Sequence, residues 1–304
     1  MSIPRDHHYV PCFYLKQWVG EDKQLCEYKL VRQRIHHRRT YPKGTGYKRD
    51  LYRVDGLPEH LAQVVESKFM HMVDTQANYA IEKIIRGDGD VWDPKQRDGW
   101  VRFILSLRFR NPEAVQCLKQ QMHNVWVAGL DNLRINYVSK KRPTDPLTFE
   151  EFKARTEIES PQKAALILLQ QIIDNERVGP TIIEMRWSRV SLSASRHSLL
   201  TSDRAVYMPL GLAAKDAYIA LPVAPKVLFV ADHDGAWGRR LGQGDPTKVV
   251  AAVNQAVVSQ ARLFVWGVDA TQLRFVQNHM ATAIDHPIIT DRQKQEAIDA
   301  AGTF

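Results

Sequence analysis

Residues 218–231 read YIALPVAPKVLFVA, two short apolar runs separated by Pro225 and Lys226. Short runs of apolar, β-branched and aromatic residues that are bounded by turn residues are typical of strands. Segments of the same character occupy residues 181–187, 190–193 and 198–201, and another apolar run follows at residues 263–268. The sequence therefore predicts a mainly antiparallel sheet beyond Pro180.

Helical periodicity is found in the centre of the chain. Apolar residues recur at spacings of three and four over residues 58–86, and this pattern ends at Gly87. Further helices are predicted at residues 94–107, at 161–176 and, late in the chain, at 246–261. The helix that starts at Pro94 is expected to resume through Pro112 to residue 132, with Pro112 placing either a kink or a helix start. Aromatic and branched residues around a polar turn at 20–23 predict two strands within residues 9–30. The order strands, helices, strands, helix, strand predicts an α+β fold rather than a regular βαβ winding.

The length of 304 residues suits one elaborated domain or two coupled parts. We expect a single α+β domain over residues 1–270. The linker-like stretch 139–148 is the place where it would divide, into residues 1–138 and 149–270. Residues 271–304 are expected to form a C-terminal extension.

The net charge of +8 is concentrated near the N-terminus, where residues 1–60 contain 12 Lys/Arg and 7 Asp/Glu. Such a surplus indicates nucleic acid or another polyanion as a partner, although a basic surface that only aids solubility is the alternative.

The apolar stretches are far shorter than the roughly 20 residues of a membrane helix. The N-terminus lacks the layout of a signal peptide, and Cys12, Cys26 and Cys117 fit neither a disulfide framework nor a zinc site. We therefore expect a cytoplasmic protein without a membrane partner, of open oligomeric state.

Four basic side chains alternate along the N-terminal segment. In an extended chain, period-two spacing sends all four to one face, where they could follow a phosphate backbone. A polar edge strand or loop is the alternative interpretation. The four residues are Arg32, Arg34, His36 and Arg38.

Several segments stand out together along the chain: His7-His8-Tyr9-Val10-Pro11, Phe13-Tyr14-Leu15, a helix with Glu66 and Asp74, Arg110-Asn111-Pro112, Thr201-Ser202-Asp203 and a helix with Asn254. Taken together, they resemble a bacterial family catalogued as domain-of-unknown-function family 4238, over about residues 7–266 and in the family's order. The family brings no established activity, so the resemblance implies a shared site rather than a named reaction. One departure is Ala205, where the family usually has a proline.

His7 and His8 are candidate catalytic residues, because a histidine titrates near neutral pH and serves as a general base, a general acid or a metal ligand. Being adjacent in a strand, they point to opposite faces, so only one of them would face a site. The sequence leaves open which one. A structural, hydrogen-bonded role is the alternative for either.

Three carboxylates complete the candidate site. Glu66 and Asp74 are eight residues apart on one helix, roughly 80° apart around its axis. Asp203, with Ser202, ends a predicted strand, where catalytic and substrate-binding groups are often placed. We expect Glu66 and Asp203 to be catalytic, Ser202 to bind substrate, and Glu66, Asp74 and Asp203 to be metal ligands. The alternatives are an acidic stripe on the helix and a Ser-Asp pair that caps a turn.

Arg108 and Arg110 precede Asn111-Pro112 and could hold a phosphate through the bidentate guanidinium. A structural ion pair with Glu66 or Asp203 is the alternative.

Two functions follow from these residues. The first is a nuclease in which Mg²⁺ or Mn²⁺ and the histidine act on a phosphodiester held by arginines. The second is a non-enzymatic module that binds nucleic acid or protein, with the polar residues forming a structural network. The two differ in whether the histidine and carboxylates meet in an open cleft or are sealed in the core.

Overall fold

The computed structural model describes residues 5–54, 69–87, 92–155, 160–284 and 289–302. Strands near the N-terminus, long central helices and a C-terminal antiparallel sheet confirm the α+β prediction. The strands are β1 (Asp6–His8), β2 (Leu25–Val31), β3 (Arg34–Thr40), β4 (Tyr47–Arg49), β5 (Arg186–Ser191), β6 (Thr201–Ser202), β7 (Tyr218–Ala224), β8 (Val227–Asp232) and β9 (Phe264–Gly267).

These strands form three sheets, and every pairing within the described ranges is antiparallel. β1 pairs with β4, and the opening apolar runs form the hairpin β7–β8, which β5 extends. The four-stranded sheet has the order β3-β2-β9-β6. Its strands come from both ends of the chain, so residues 25–40 and 201–267 belong to one structural unit.

The helices carry much of the core. Each of the four helices predicted from Pro94 onward has proline at its first position, where the missing N–H would not be hydrogen-bonded within the helix. The helices are α1 (Cys12–Leu15), α2 (His71–Arg86), α3 (Pro94–Phe109), α4 (Pro112–Lys140), α5 (Phe149–Arg155), α6 (Pro161–Ile173), α7 (Val178–Glu184), α8 (Ala236–Gln243), α9 (Pro246–Gln260), α10 (Leu273–His279) and α11 (Asp291–Gly302).

Two predicted strands are wrong. Residues 12–18 are helical and begin directly after Pro11. Their helical spacing places Tyr14, Leu15 and Trp18 on one side, where all three are buried. Residues 178–184 form α7, which buries Ile182, and the strand begins only at Arg186. In both segments tertiary packing overrides the strand preference of aromatic and β-branched residues.

The largest core cluster surrounds α3, whose Trp100 and Phe103 are fully buried. A second cluster lies between α9 and the sheet β5-β8-β7, and a third lies between β2, β9 and α10. At the C-terminus, Gln121 on α4 donates from Nε2 to the Lys294 carbonyl on α11 at 3.0 Å. Within the described ranges, no helix has the length and apolar character needed to cross a membrane.

Candidate functional site

The two adjacent histidines have different surroundings. His7 is fully buried, its Nδ1 accepts a hydrogen bond from the Tyr52 N–H at 3.0 Å, and its ring stacks on Tyr52 with 5.4 Å between centroids. The Tyr52 hydroxyl in turn donates to the Arg110 carbonyl at 3.2 Å. These contacts give His7 a structural role, joining the N-terminal strand to the end of α3.

His8 is only partly buried and lies beside Tyr47, its partner across β1 and β4. Burial lowers the pKa of His8 below 6.5, and the positive charge of Arg110 also lowers it. A hydrogen bond to the Lys43 backbone acts in the opposite direction and raises the pKa. The imidazole is therefore neutral near pH 7. Its Nε2 is buried and has no hydrogen-bond partner within the described part of the chain. With a carbonyl holding the proton on the other nitrogen, Nε2 carries a lone pair suited to accept a proton.

Arg110 is fully buried at the C-terminal end of α3. Its Nε donates to the Tyr9 carbonyl at 2.9 Å and its Nη1 to Oδ1 of Asp74 at 2.8 Å. Its Nη2 is buried without a partner among the described residues. An unsatisfied buried donor on a charged group is costly, so this nitrogen is a natural contact for an anion.

Asp74 holds Arg110 from the first turn of α2. Burial raises the pKa of Asp74, while the neighbouring guanidinium acts in the opposite direction. We refer to His8, Arg110 and Asp74 as the His8 cluster. It joins β1, α2 and α3, three elements that are distant in sequence.

Asp203 does not belong to the His8 cluster. Its carboxylate is buried and accepts three backbone N–H groups, from Arg262 at 3.0 Å, Leu263 at 2.6 Å and Phe264 at 3.0 Å. Burial raises its pKa to about 6, although the three hydrogen bonds lower it. The carboxylate therefore anchors the start of β9 to the end of β6.

Ser202 and Asn254 are also engaged in the fold. The Ser202 hydroxyl donates to the Val257 carbonyl at 3.0 Å and accepts from the Arg204 N–H at 3.2 Å. The Asn254 amide accepts from the Leu200 N–H at 2.8 Å and donates to the Ser198 carbonyl at 2.9 Å. Both side chains pin α9 to the four-stranded sheet.

The basic N-terminal segment is extended, as the alternation indicates. Arg34, His36 and Arg38 share one face of β3, whereas Arg32 lies in the turn before it with φ of 48°. Arg38 donates from Nε to Oε1 of the buried Glu27 at 2.8 Å, so its charge is already paired.

The proposed metal ligands are only partly located. Glu66 lies outside the described residues. Asp74 is bound to Arg110, and both oxygens of Asp203 accept backbone hydrogen bonds. Across residues 5–54, 69–87, 92–155, 160–284 and 289–302, no group of three or more His, Cys, Asp or Glu side chains could hold a metal ion.

Arg108 lies in a different place from Arg110, in a surface cleft of about 480 Å³. Sequence reasoning missed two further arginines of this cleft, Arg204 and Arg262. They follow β6 and precede β9, and the antiparallel pairing of Ser202 with Val265 brings them to one edge. A smaller pocket shares both arginines and reaches Tyr9, whose carbonyl binds Arg110. We refer to the larger cavity as the arginine cleft.

The fold and site define an α+β protein with a buried histidine–arginine–aspartate cluster and an arginine-lined cleft. Over residues 6–271 the chain matches the family described as "Protein of unknown function (DUF4238)", and it belongs to that family. This match confirms the resemblance carried by the N-terminal His-His-Tyr-Val-Pro segment and the segments after it. No curated protein and no solved structure matched the chain.

Proposed function

We propose that this protein hydrolyses phosphodiester bonds in nucleic acid, with His8 as the general base and Arg110 as the group that holds the phosphate. One observation carries the proposal. Two buried nitrogens of neighbouring residues, the acceptor Nε2 of His8 and the donor Nη2 of Arg110, lack partners among the described residues. A water molecule and a phosphate oxygen are a matched pair of ligands for such an acceptor and donor.

In the proposed reaction, Nε2 of His8 takes a proton from water as the water oxygen bonds to phosphorus. The bond from phosphorus to the leaving oxygen breaks, and that oxygen takes a proton from solvent. Arg110 stabilises the charge on the phosphate, and Asp74 keeps the guanidinium in place. The products are an alcohol and a phosphate monoester group on the two ends of the cut chain.

A divalent metal, Mg²⁺ or Mn²⁺, stays part of the proposal without an assigned ligand set, because Asp74 binds Arg110 and Glu66 lies outside the described residues. The metal would neutralise phosphate charge and activate water. Ser202 and Asp203 leave the proposed catalytic and ligand sets because their oxygens are used within the fold. A cytoplasmic location also stays part of the proposal and agrees with three unpaired cysteines.

A non-enzymatic binding module is the second candidate, and a specific observation favours it. His7, Ser202 and Asp203, all buried, make hydrogen bonds that join separate elements. Arg110 is fully buried, and neither Arg110 nor His8 lines the arginine cleft or the smaller pocket beside it. If His8 and Arg110 serve only a structural purpose, the protein binds its partner without cutting it.

The test is incubation of the purified chain with end-labelled single-stranded and duplex DNA and RNA, with magnesium, with manganese and with chelator. We expect cleavage by the parent and a loss of about 100-fold or more in His8→Ala, the usual effect of removing a general base. His197→Ala is the matched control, since His197 is exposed and its ring makes no described contact. Equal cleavage by the parent and His8→Ala would exclude His8 as the base, and binding without cleavage by the parent would favour the module.

A further inference from the structure

The arginine cleft has a strongly positive lining. Three arginines contribute to its wall, and the described residues that line it include neither Asp nor Glu. Arg204 forms an ion pair with Glu113 at the edge, and Arg262 places its backbone N–H on Asp203. The lining residues are Leu107, Arg108, Phe109, Asn111, Arg204, Val206, Tyr207, Met208, Pro209, Gln260, Arg262, Ala283 and Ile284.

Arg108 is the least compensated of the three. Its guanidinium makes no hydrogen bond or ion pair with the described parts of the chain and lies 6.0 Å from the Phe109 ring. The surrounding protein lowers its pKa, and the charge of Arg204 lowers it further. Arg204 is paired with Glu113, whereas the exposed Arg108 has no counter-ion among the described residues, so Arg108 is the group that most favours binding of an anion.

Apolar and aromatic residues form the rest of the wall. Phe109, Tyr207 and Met208 are partly exposed there. Tyr207 is braced by Tyr218 at 6.0 Å between ring centroids, and Tyr218 stacks on Trp237 at 4.2 Å. The Tyr207 ring is therefore packed against a pair of neighbouring aromatic rings, and such packing suits a surface on which a base could stack.

Positive charge continues beyond the cleft along the four-stranded sheet. The Leu30 N–H donates to the Leu263 carbonyl at 3.0 Å, which places Arg262 beside the end of the β2–β3 hairpin. There Val31 stands opposite Arg34 and Lys29 opposite His36. The Lys29 ammonium lies 5.3 Å from the centre of the Phe264 ring on β9. A chain of phosphates leaving the cleft would meet the exposed Arg34 and the partly buried Lys29.

We infer that the arginine cleft binds one nucleotide unit of single-stranded nucleic acid, with its phosphate on Arg108, Arg204 and Arg262 and its base against Phe109 and Tyr207. A volume of about 480 Å³ suits a unit of this size. In a duplex the bases are paired and stacked and cannot reach the aromatic wall, which selects single strands. The inference rests on the proposed phosphodiester chemistry for its ligand class, while the cleft geometry stands by itself.

The test is fluorescence anisotropy with a labelled single-stranded 12-mer in chelator, for the full-length parent and for Arg108→Gln. Losing one charge-assisted contact is expected to weaken binding about tenfold. It is also expected to reduce the slope of log affinity against log salt by about 0.7. Tyr207→Leu should weaken binding without changing that slope. Arg196→Gln is the matched control, because Arg196 is exposed and lies outside the cleft.

The competitors are a nucleoside monophosphate, inorganic phosphate and a duplex of the same length. The inference requires the nucleoside monophosphate to displace the probe at lower concentration than inorganic phosphate, and the duplex to bind more weakly than the strand. If Arg108→Gln kept the affinity and the salt slope of the parent, the role of the cleft would be overturned. It would also be overturned if inorganic phosphate displaced the probe as well as the nucleoside monophosphate does. Thermal unfolding of each variant separates lost binding from lost folding.

Binding is also measured in His8→Ala, so that this inference and the proposed function fail separately. Tight binding that depends on Arg108, without cleavage by the parent, contradicts only the proposed hydrolysis. Cleavage that depends on His8, with binding indifferent to Arg108, contradicts only the role of the cleft.

Discussion

At the scale of single residues, the contrast between His7 and His8 carries the mechanism. His7 lies under Tyr52 and accepts its backbone N–H, whereas the ring of His8 presents a buried nitrogen without a described partner. Alternation along a strand explains why the two rings point to opposite sides of β1. That alternation was readable from the sequence, but the choice between them was not, because it depends on Tyr52 and Arg110 approaching from other elements.

The pH dependence of cleavage tests the state of His8. A base must be unprotonated, and burial, Arg110 and His7 lower the pKa of His8 below 6.5, while Asp6 and the Lys43 backbone raise it. We therefore expect the acid limb of the kcat/KM profile to have its midpoint below 6.5. Asp6→Asn removes a nearby negative charge and should move this midpoint to lower pH. A midpoint above 6.5 in the parent would contradict the assignment.

Asp203 supplies a stability prediction at the same scale. Asp203→Ala leaves three backbone N–H groups near the start of β9 without their acceptor. The expected loss is about 3 kcal/mol or more in the free energy of unfolding, measured by urea denaturation. Asp216→Ala, at an exposed position, should change stability by less than about 0.5 kcal/mol. Equal stability of the two variants would refute the anchoring role.

The sequence singled out Asp203 but could not assign its role. A Ser-Asp pair at a strand end has the same letters whether it faces a substrate or caps a backbone turn. The role of Asp203 is determined by residues 262–264, which donate their backbone N–H groups to its carboxylate. Those residues lie about sixty positions later in the sequence. Arg204 and Arg262 were missed for the same reason, since their proximity comes from the pairing of β6 with β9.

At the scale of elements, the starts of helices were the most predictable features. Pro94, Pro161 and Pro246 each begin a helix at the predicted place, and of the two alternatives for Pro112 the structure shows a helix start. The wrong assignments, residues 12–18 and 181–184, are short segments in which buried aromatic and branched residues favour either structure. For such segments, packing against α3 and the neighbouring sheets decides the outcome.

Asn111 links an element boundary to the arginine cleft. Its Oδ1 caps α4 by accepting the Ala114 N–H at 3.0 Å, and its Nδ2 donates to the Arg108 carbonyl at 3.0 Å. Asn111→Ala should lower the free energy of unfolding by about 1–2 kcal/mol, since the cap is buried. Asp93→Ala removes the exposed cap of α3, which water can replace, and should cost less. Thermal or urea unfolding measures both, and an equal or larger cost at Asp93 would contradict the argument.

At the scale of the whole molecule, chemistry and binding are assigned to separate places. The His8 cluster lies where β1, α2 and α3 meet, and the arginine cleft lies where α3 ends against the edge of the four-stranded sheet. Tyr9 connects them, since its carbonyl binds Arg110 and the residue lines the pocket that opens beside the cleft. The α+β class followed from the order of elements, whereas this division required the tertiary structure.

The most direct test of this account is steady-state cleavage of a labelled single-stranded oligonucleotide by the parent, His8→Ala and Arg108→Gln. We expect His8→Ala to lose about 100-fold or more in kcat with little change in binding. We expect Arg108→Gln to raise KM about tenfold with kcat nearly unchanged, since the contact is made equally in the ground and transition states. Parent-like kcat in His8→Ala, or no cleavage by the parent under any metal condition, would contradict the central claim that the His8 cluster cuts phosphodiesters.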